Sequence, residues 1–180
     1  IKELLITSDK EHFENPKTLY KYEKQLAKLQ RQLAHKKKFS NNWHKQKHKI
    51  TLLHEKISNI RKDNLHKISH KLIMENQLIA SENLKISNMI KNHHLAKSIA
   101  DASWYELTRQ LDYKAMWYGN DVIKVPTMYP SSQTCSCCGY KNPLVKNLAI
   151  RNWECPECHT KHNRDTNASI NILNKGLEVA

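Results

Sequence analysis

Four cysteines near the C-terminus constrain this chain more than any other feature. Cys135 and Cys138 form one C-x2-C pair and Cys155 and Cys158 a second, with sixteen residues between the pairs and Asp165 seven residues beyond the last cysteine. A C-x2-C thiolate pair can bite one tetrahedral Zn²⁺ from a tight turn, and two such turns complete its shell. The spacing therefore predicts a zinc ribbon over about residues 131–162, with Cys135, Cys138, Cys155 and Cys158 as ligands. Four thiolates close the shell, so the metal is expected to be structural. Cys137 is the surplus thiol, and its spacing to Cys135 and Cys138 makes it the poorer competitor. His159 and His162 stand close enough in sequence to be alternative ligands that a four-cysteine shell does not need. A metal clip just ahead of a carboxylate also fixes where that carboxylate points.

The 180 residues suit one domain, or one domain with a small insert. No run approaches the roughly 18–20 uncharged apolar residues that a bilayer span needs. An odd cysteine count with four at metal spacing argues for a reducing compartment rather than a disulfide frame. The start, Ile1-Lys2-Glu3-Leu4-Leu5-Ile6, has no initiator Met, signal n-region or cleavage site and reads as the middle of a strand, so a fragment is expected. The net charge of +13 is concentrated: residues 17–71 carry sixteen Lys/Arg against Glu23, Glu55 and Asp63, and basic and acidic residues cancel elsewhere. Such a field suits a polyanion, with nucleic acid the first candidate. The alternative is an ordinary solvated helix face.

Residues 1–8 read as a strand closed by a turn at Ser8-Asp9-Lys10. Pro16 opens a helix whose apolar seam is Leu19, Tyr22, Leu26, Leu29 and Leu33. Lys36-Lys37-Lys38 and Ser40-Asn41-Asn42 break it, and a second helix carries Ile50, Leu53, Ile57, Ile60, Leu65, Ile68 and Leu72. The pair predicts a basic antiparallel hairpin over about residues 16–75. Its candidate nucleic-acid contacts are Lys28, Arg31, Lys36, Lys37, Lys38, Lys45, Lys47 and Lys49. Gln77–Ser81 reads as a buried strand ending at Glu82, residues 96–117 as one helix, and Val122–Val125 as a strand. A last helix runs from Thr166 to about Lys175, with Gly176 as its C-cap. Strands separated by long helices give an α/β or α+β fold.

Glu82 at a strand end and Asp165 at a helix start each have a plain explanation, a loop acid and a helix N-cap. Together they could converge on Mg²⁺, which prefers carboxylate oxygen, as two-metal nucleases require. Such a site needs a further acid, and the chain offers none equally placed.

Several segments together carry a family resemblance. They are Asn15-Pro16-Lys17, Asn88–Ala96, Trp104, Pro130–Cys135, Cys138-Gly139, Trp153–Cys158 and His162-Asn163-Arg164-Asp165-Thr166-Asn167-Ala168-Ser169-Ile170-Asn171-Ile172-Leu173. Across nearly its whole length the chain resembles the TnpB (OrfB) family, transposon-encoded RNA-guided DNA nucleases related to type V CRISPR effectors. The resemblance implies an RNase H-like (RuvC) domain, truncated at its N-terminus. That domain would span residues 1–130, with the ribbon inserted over 131–162 and the last motif and helix over 163–180. It implies Glu82 and Asp165 as the second and third catalytic carboxylates, the first being an Asp just upstream of Ile1. It implies structural zinc, catalytic Mg²⁺, a DNA target and a guide RNA in the intact protein, and a prokaryotic cytoplasm with nucleoid association on DNA. The fragment alone is expected to be nearly inactive. Two features depart from the family pattern: Ser81 stands in place of an apolar strand residue, and Asn163 in place of a frequent acid. The rival readings are a non-catalytic DNA- or RNA-binding regulator of the same fold and a zinc-ribbon subunit of a transcription or translation complex. The latter leaves the Arg164–Leu173 run unexplained.

Overall fold

The computed structural model describes residues 3–180. An antiparallel hairpin, β1 (Glu3–Ile6) and β2 (His12–Glu14), leads into two helices, α1 (Thr18–Ala34) and α2 (Asn41–Glu75). The sequence has no Gly or Pro between Pro16 and Gly119, so nothing interrupts α2 over its 35 residues. At 1.5 Å per residue it is roughly 50 Å long. Ser40 lies in the break between the two helices, as expected, and also starts α2: its Oγ accepts from the Trp43 N–H at 3.2 Å. Pro16 stands outside α1, which begins at Thr18 after Lys17 in a left-handed turn (φ 46°).

The hairpin is antiparallel, as the spacing predicts. Gln46 Nε2 donates to the Leu29 carbonyl at 3.0 Å, and Lys56 lies 5.1 Å from the Tyr22 ring centroid, so contacts climb one helix as they descend the other. Lys17 offers no side-chain cap, and the buried Asp101 carboxylate accepts from the first-turn Leu19 N–H at 3.0 Å. A residue 82 positions away thus does a local cap's work.

β3 (Leu78–Glu82) pairs in parallel with β4 (Asp121–Val125), with Glu82 opposite Val125. A parallel pair needs a long crossover, supplied by α3 (Ile86–Met89), α4 (Ala96–Ala102) and α5 (Trp104–Tyr118). The single helix expected over 96–117 is broken at Ser103, whose φ of 54° no continuous helix tolerates. The break lets α5 turn onto α2, where Leu65, Ile68, Leu72 and Ile73 meet Leu107, Leu111 and Ala115 in the main core. Asn120 closes this layer by donating to the Ile73 carbonyl at 2.7 Å, satisfying the end of α2.

The C-terminal part is a second, smaller core of Cys135, Val145, Trp153 and Cys155, with the antiparallel pair β5 (Asn152–Glu154) and β6 (Lys161–Asn163). The chain then enters α6 (Arg164–Leu177), which lies on β3 and β4. Gly176, expected as the C-cap, is inside α6 and buried against β3. A Cβ there would stand 2.5 Å from the Ala80 Cβ. Gly176→Val should therefore lower stability by about 1–3 kcal/mol through overpacking. The check is thermal unfolding, with Ala80→Gly restoring part of the loss.

Candidate functional site

The four cysteine sulfurs lie within 4.8 Å of one another and form the one cluster of three or more His, Cys, Asp or Glu ligand atoms among the described residues. Cys138–Cys155 and Cys135–Cys158 are 3.5 and 3.6 Å apart. A tetrahedral zinc with bonds of about 2.3 Å requires sulfurs about 3.8 Å apart, so the donor set and its spacing fit Zn²⁺. Two similar knuckles create this arrangement. The Gly139 N–H donates to the Cys135 carbonyl and the His159 N–H to the Cys155 carbonyl, each at 2.9 Å with the donor residue at positive φ. Side-chain and backbone hydrogen bonding with Thr160 holds the Cys158 thiol down at about 6. Cys138 is pushed up to about 12: a backbone hydrogen bond at Tyr140 opposes the shift, but burial and the three neighbouring thiols outweigh it. Four sulfurs this close cannot all ionise without a cation between them. Cys137 is exposed and outside the cluster. His162 is buried, with Nε2 3.0 Å from Cys135 Sγ and its ring against Trp153; burial lowers its basicity. It abuts one sulfur and is not among the four-ligand group.

Glu82 is the last residue of β3, exposed on the rim of a cavity of about 410 Å³ lined also by Lys85, Tyr129, Ser131 and Ile172. The Ser131 Oγ donates to Glu82 Oε1 at 3.2 Å, so Glu82 is not a free loop acid. Asp165 lies in the first turn of α6 but does not cap it. Asn163 is the cap, its Oδ1 accepting from the Asp165 and Thr166 N–H groups at 3.1 and 3.2 Å. The Asp165 carboxylate is thereby left for another role, and it pairs with Arg151 at 2.8 Å. Asp165 does not line the Glu82 cavity. It stands seven residues before Ile172, which does. Seven residues are just under two helical turns, so both lie on one face of α6.

The residues that join these parts stood in the sequence only as members of the His162–Leu173 run, with no role assigned to them. Asn167 and Asn171 are buried on α6. Asn167 Nδ2 donates to the Thr134 carbonyl at 2.7 Å while its Oδ1 accepts from the Ser136 N–H at 2.9 Å. Asn171 Nδ2 donates to the carbonyls of Ser131 and Thr134 at 2.8 and 2.6 Å. The available signal was three asparagines at four-residue steps, 163, 167 and 171, in a helix that has little use for them.

The candidate hairpin cations are placed as the sequence suggests: Lys28 and Arg31 on α1, Lys36, Lys37 and Lys38 in the connecting turn, and Lys45, Lys47 and Lys49 on α2. All are exposed except the half-buried Lys36, and none joins an ion pair among the described residues. Among the described residues no helix is long and apolar enough to cross a membrane.

Comparison with known proteins agrees with this anatomy. Residues 104–172, which include the cysteine cluster, match the model of the "Cas12f1-like, TNB domain". A Streptomyces pristinaespiralis protein named "Putative RNA-guided DNA endonuclease" is 40% identical over the whole chain, which covers 44% of that protein. "Putative RNA-guided DNA endonuclease InsQ" of Escherichia coli K12 is 40% identical over 99% of the chain and 48% of its own length. The chain thus spans about half the length of the curated relatives it matches. A solved structure titled "Cryo-EM structure of the Cas12f1-sgRNA-target DNA complex" shares the mixed helix and strand fold, with a TM-score of 0.62 over 91% of this chain and 43% of that one at 22% identity. A further model, the IS605 OrfB family described as "Probable transposase", matches residues 1–93, more than half of the sequence, and the chain accordingly belongs to the TnpB (OrfB) family.

Proposed function

We propose that this chain is the C-terminal part of a transposon-associated, RNA-guided DNA endonuclease that hydrolyses DNA phosphodiesters with Mg²⁺ in a RuvC-type site. In this reading residues 1–130 belong to an RNase H-like domain, 131–162 are a zinc ribbon held by Cys135, Cys138, Cys155 and Cys158, and 163–180 carry the last motif. The observation that carries the proposal is that one insert holds both candidate acids. Ser131, at its start, hydrogen-bonds Glu82, and Arg151, in its second half, pairs with Asp165.

Glu82 and Asp165 offer the hard oxygen donors that Mg²⁺ takes, and among the described residues no group of three or more ligand atoms includes an acid. A further carboxylate from outside these 180 residues completes the proposed set. When bound, Mg²⁺ would supply Lewis-acid activation of water and of the leaving oxygen. The chain's own residues do the positioning. Ser131 fixes the Glu82 carboxylate, Asn163 caps α6 so that the Asp165 carboxylate is not spent on the helix end, and Asn167 and Asn171 clamp the ribbon entry onto that helix. The hairpin cations, Lys28 to Lys49, would lie along the phosphates of guide RNA or target DNA, reading backbone rather than sequence.

The complete protein, supplied with guide RNA, should cut matching DNA in Mg²⁺ and stop when EDTA is added. The isolated 180-residue chain should cleave little, because it contributes two of the three proposed carboxylates. Guide-dependent binding by the complete protein without any Mg²⁺-dependent cutting would instead favour the non-catalytic regulator.

A further inference from the structure

The tip of the basic hairpin carries an exposed aromatic pair that the nuclease reading does not use. Phe39 sits in the turn between α1 and α2 with 72% of its surface exposed. Its φ is 64°, a left-handed conformation that a bulky side chain rarely adopts and that glycine would adopt freely. The ring is held out beside Trp43, with centroids 5.5 Å apart. Lys38 and Lys47 stand 5.9 and 5.1 Å from the Phe39 and Trp43 ring centroids. Around the pair, residues 24–54 hold nine Lys/Arg and no Asp or Glu. The main core begins on α2 at Leu65, roughly 33 Å along the helix from Trp43 at 1.5 Å per residue. The tip therefore projects well beyond the body of the protein.

A phenylalanine in a backbone conformation that glycine adopts more easily, with its ring exposed, points to a contact made by the ring. Positive charge around flat rings is the chemistry that holds a nucleic-acid strand: cations take the phosphates and the ring takes a base face. We infer that Phe39, backed by Trp43, stacks on an unpaired base of a folded RNA while Lys37, Lys38, Lys45 and Lys47 hold the flanking phosphates. RNA fits better than single-stranded DNA because the platform is one ring pair on a convex tip. Bases splayed from RNA loops and bulges are presented singly to such a ring, whereas single-stranded DNA is tracked along grooves by successive aromatics. The inference rests on the nucleic-acid reading of the hairpin and is independent of the nuclease chemistry.

The test uses the 180-residue chain and an RNA hairpin with 2-aminopurine in its loop, against a blunt RNA duplex and the matching DNA hairpin. Wild type should quench the loop fluorophore and prefer the looped RNA to both controls. Phe39→Gly should weaken loop binding roughly 5- to 150-fold and abolish quenching, with the salt slope and duplex affinity unchanged. Its melting temperature should hold or rise, which a merely structural phenylalanine would not allow. Phe39→Trp should retain binding. Changing Lys36, Lys37 and Lys38 together to Gln should weaken loop and duplex alike and flatten the salt slope by about 2. Unaltered loop binding by Phe39→Gly, or equal preference for the DNA hairpin, overturns the inference. Unaltered binding by the triple-lysine variant overturns the reading of the hairpin itself.

Discussion

Replacing Cys155 with serine should strip the metal from the ribbon and unfold residues 131–163 while leaving the helical core intact. Cys155 is fully buried and its knuckle is closed by the Cys155 N–H donating to the Thr160 carbonyl at 2.9 Å. The ribbon's apolar core consists of little more than Val145 and Trp153 around the sulfurs. A core that small cannot offset the ordering entropy of some thirty residues, which costs about 1.5 kcal/mol per residue. Structural zinc supplies about 10–16 kcal/mol in comparable small sites, so metal and ribbon should be lost together. Native mass spectrometry should read close to one zinc per wild-type chain and far less in the variant. Hydrogen exchange should show lost protection over 131–163 and retained protection in α2 and α5, whose core around Leu65, Ile73 and Leu111 is separate. Unchanged protection in the ribbon after chelation would show that the fold does not depend on the metal. Because Ser131 and Arg151 lie on this insert, the same variant should release both acids at once.

Asp165→Asn in the complete, guide-loaded protein should reduce DNA cleavage more than about 100-fold, beyond the 10–100-fold typical of residues that only support a metal's ligands. The fold should hardly notice. The cap of α6 belongs to Asn163, and the lost pair with Arg151 is surface-exposed, with side-chain exposures of 41% and 62%. Such exposed pairs are worth about 0–1 kcal/mol. A large fall in melting temperature would return Asp165 to a structural role, and undiminished cutting would remove it from the site. Guide and target binding measured on the same variant separate a loss of chemistry from a loss of assembly.

The parts of this protein carried by spacing could be read directly. The C-x2-C pairs anticipated the sulfur cluster because a two-residue bite is a local geometric property. The apolar seam of α2 anticipated its buried face, because a helix repeats every 3.6 residues whatever surrounds it. Errors appeared where a residue had a local use and a tertiary one. Asp165 looks like a cap, yet Asn163 two residues earlier takes that place. Gly176 looks like a helix stop, yet it is a point of close approach to Ala80 that no periodicity records. The bend at Ser103 was invisible because a lone serine is also tolerated inside a helix and only the packing of α5 on α2 demands the break.

The sequence by itself determined the local matters: where thiolates can chelate, where charge accumulates, and which helical faces are apolar. These depend on neighbours a few positions apart. Only the tertiary structure decided how the acids are held. Ser131 reaches Glu82 across 49 positions and Asn171 reaches the Ser131 carbonyl across 40. A single side chain's hydrogen-bond partner at that separation leaves no periodic trace in a sequence. It exists only once β3, the ribbon entry and α6 have packed together, because a hydrogen bond requires atoms within about 3 Å and says nothing about the chain between them.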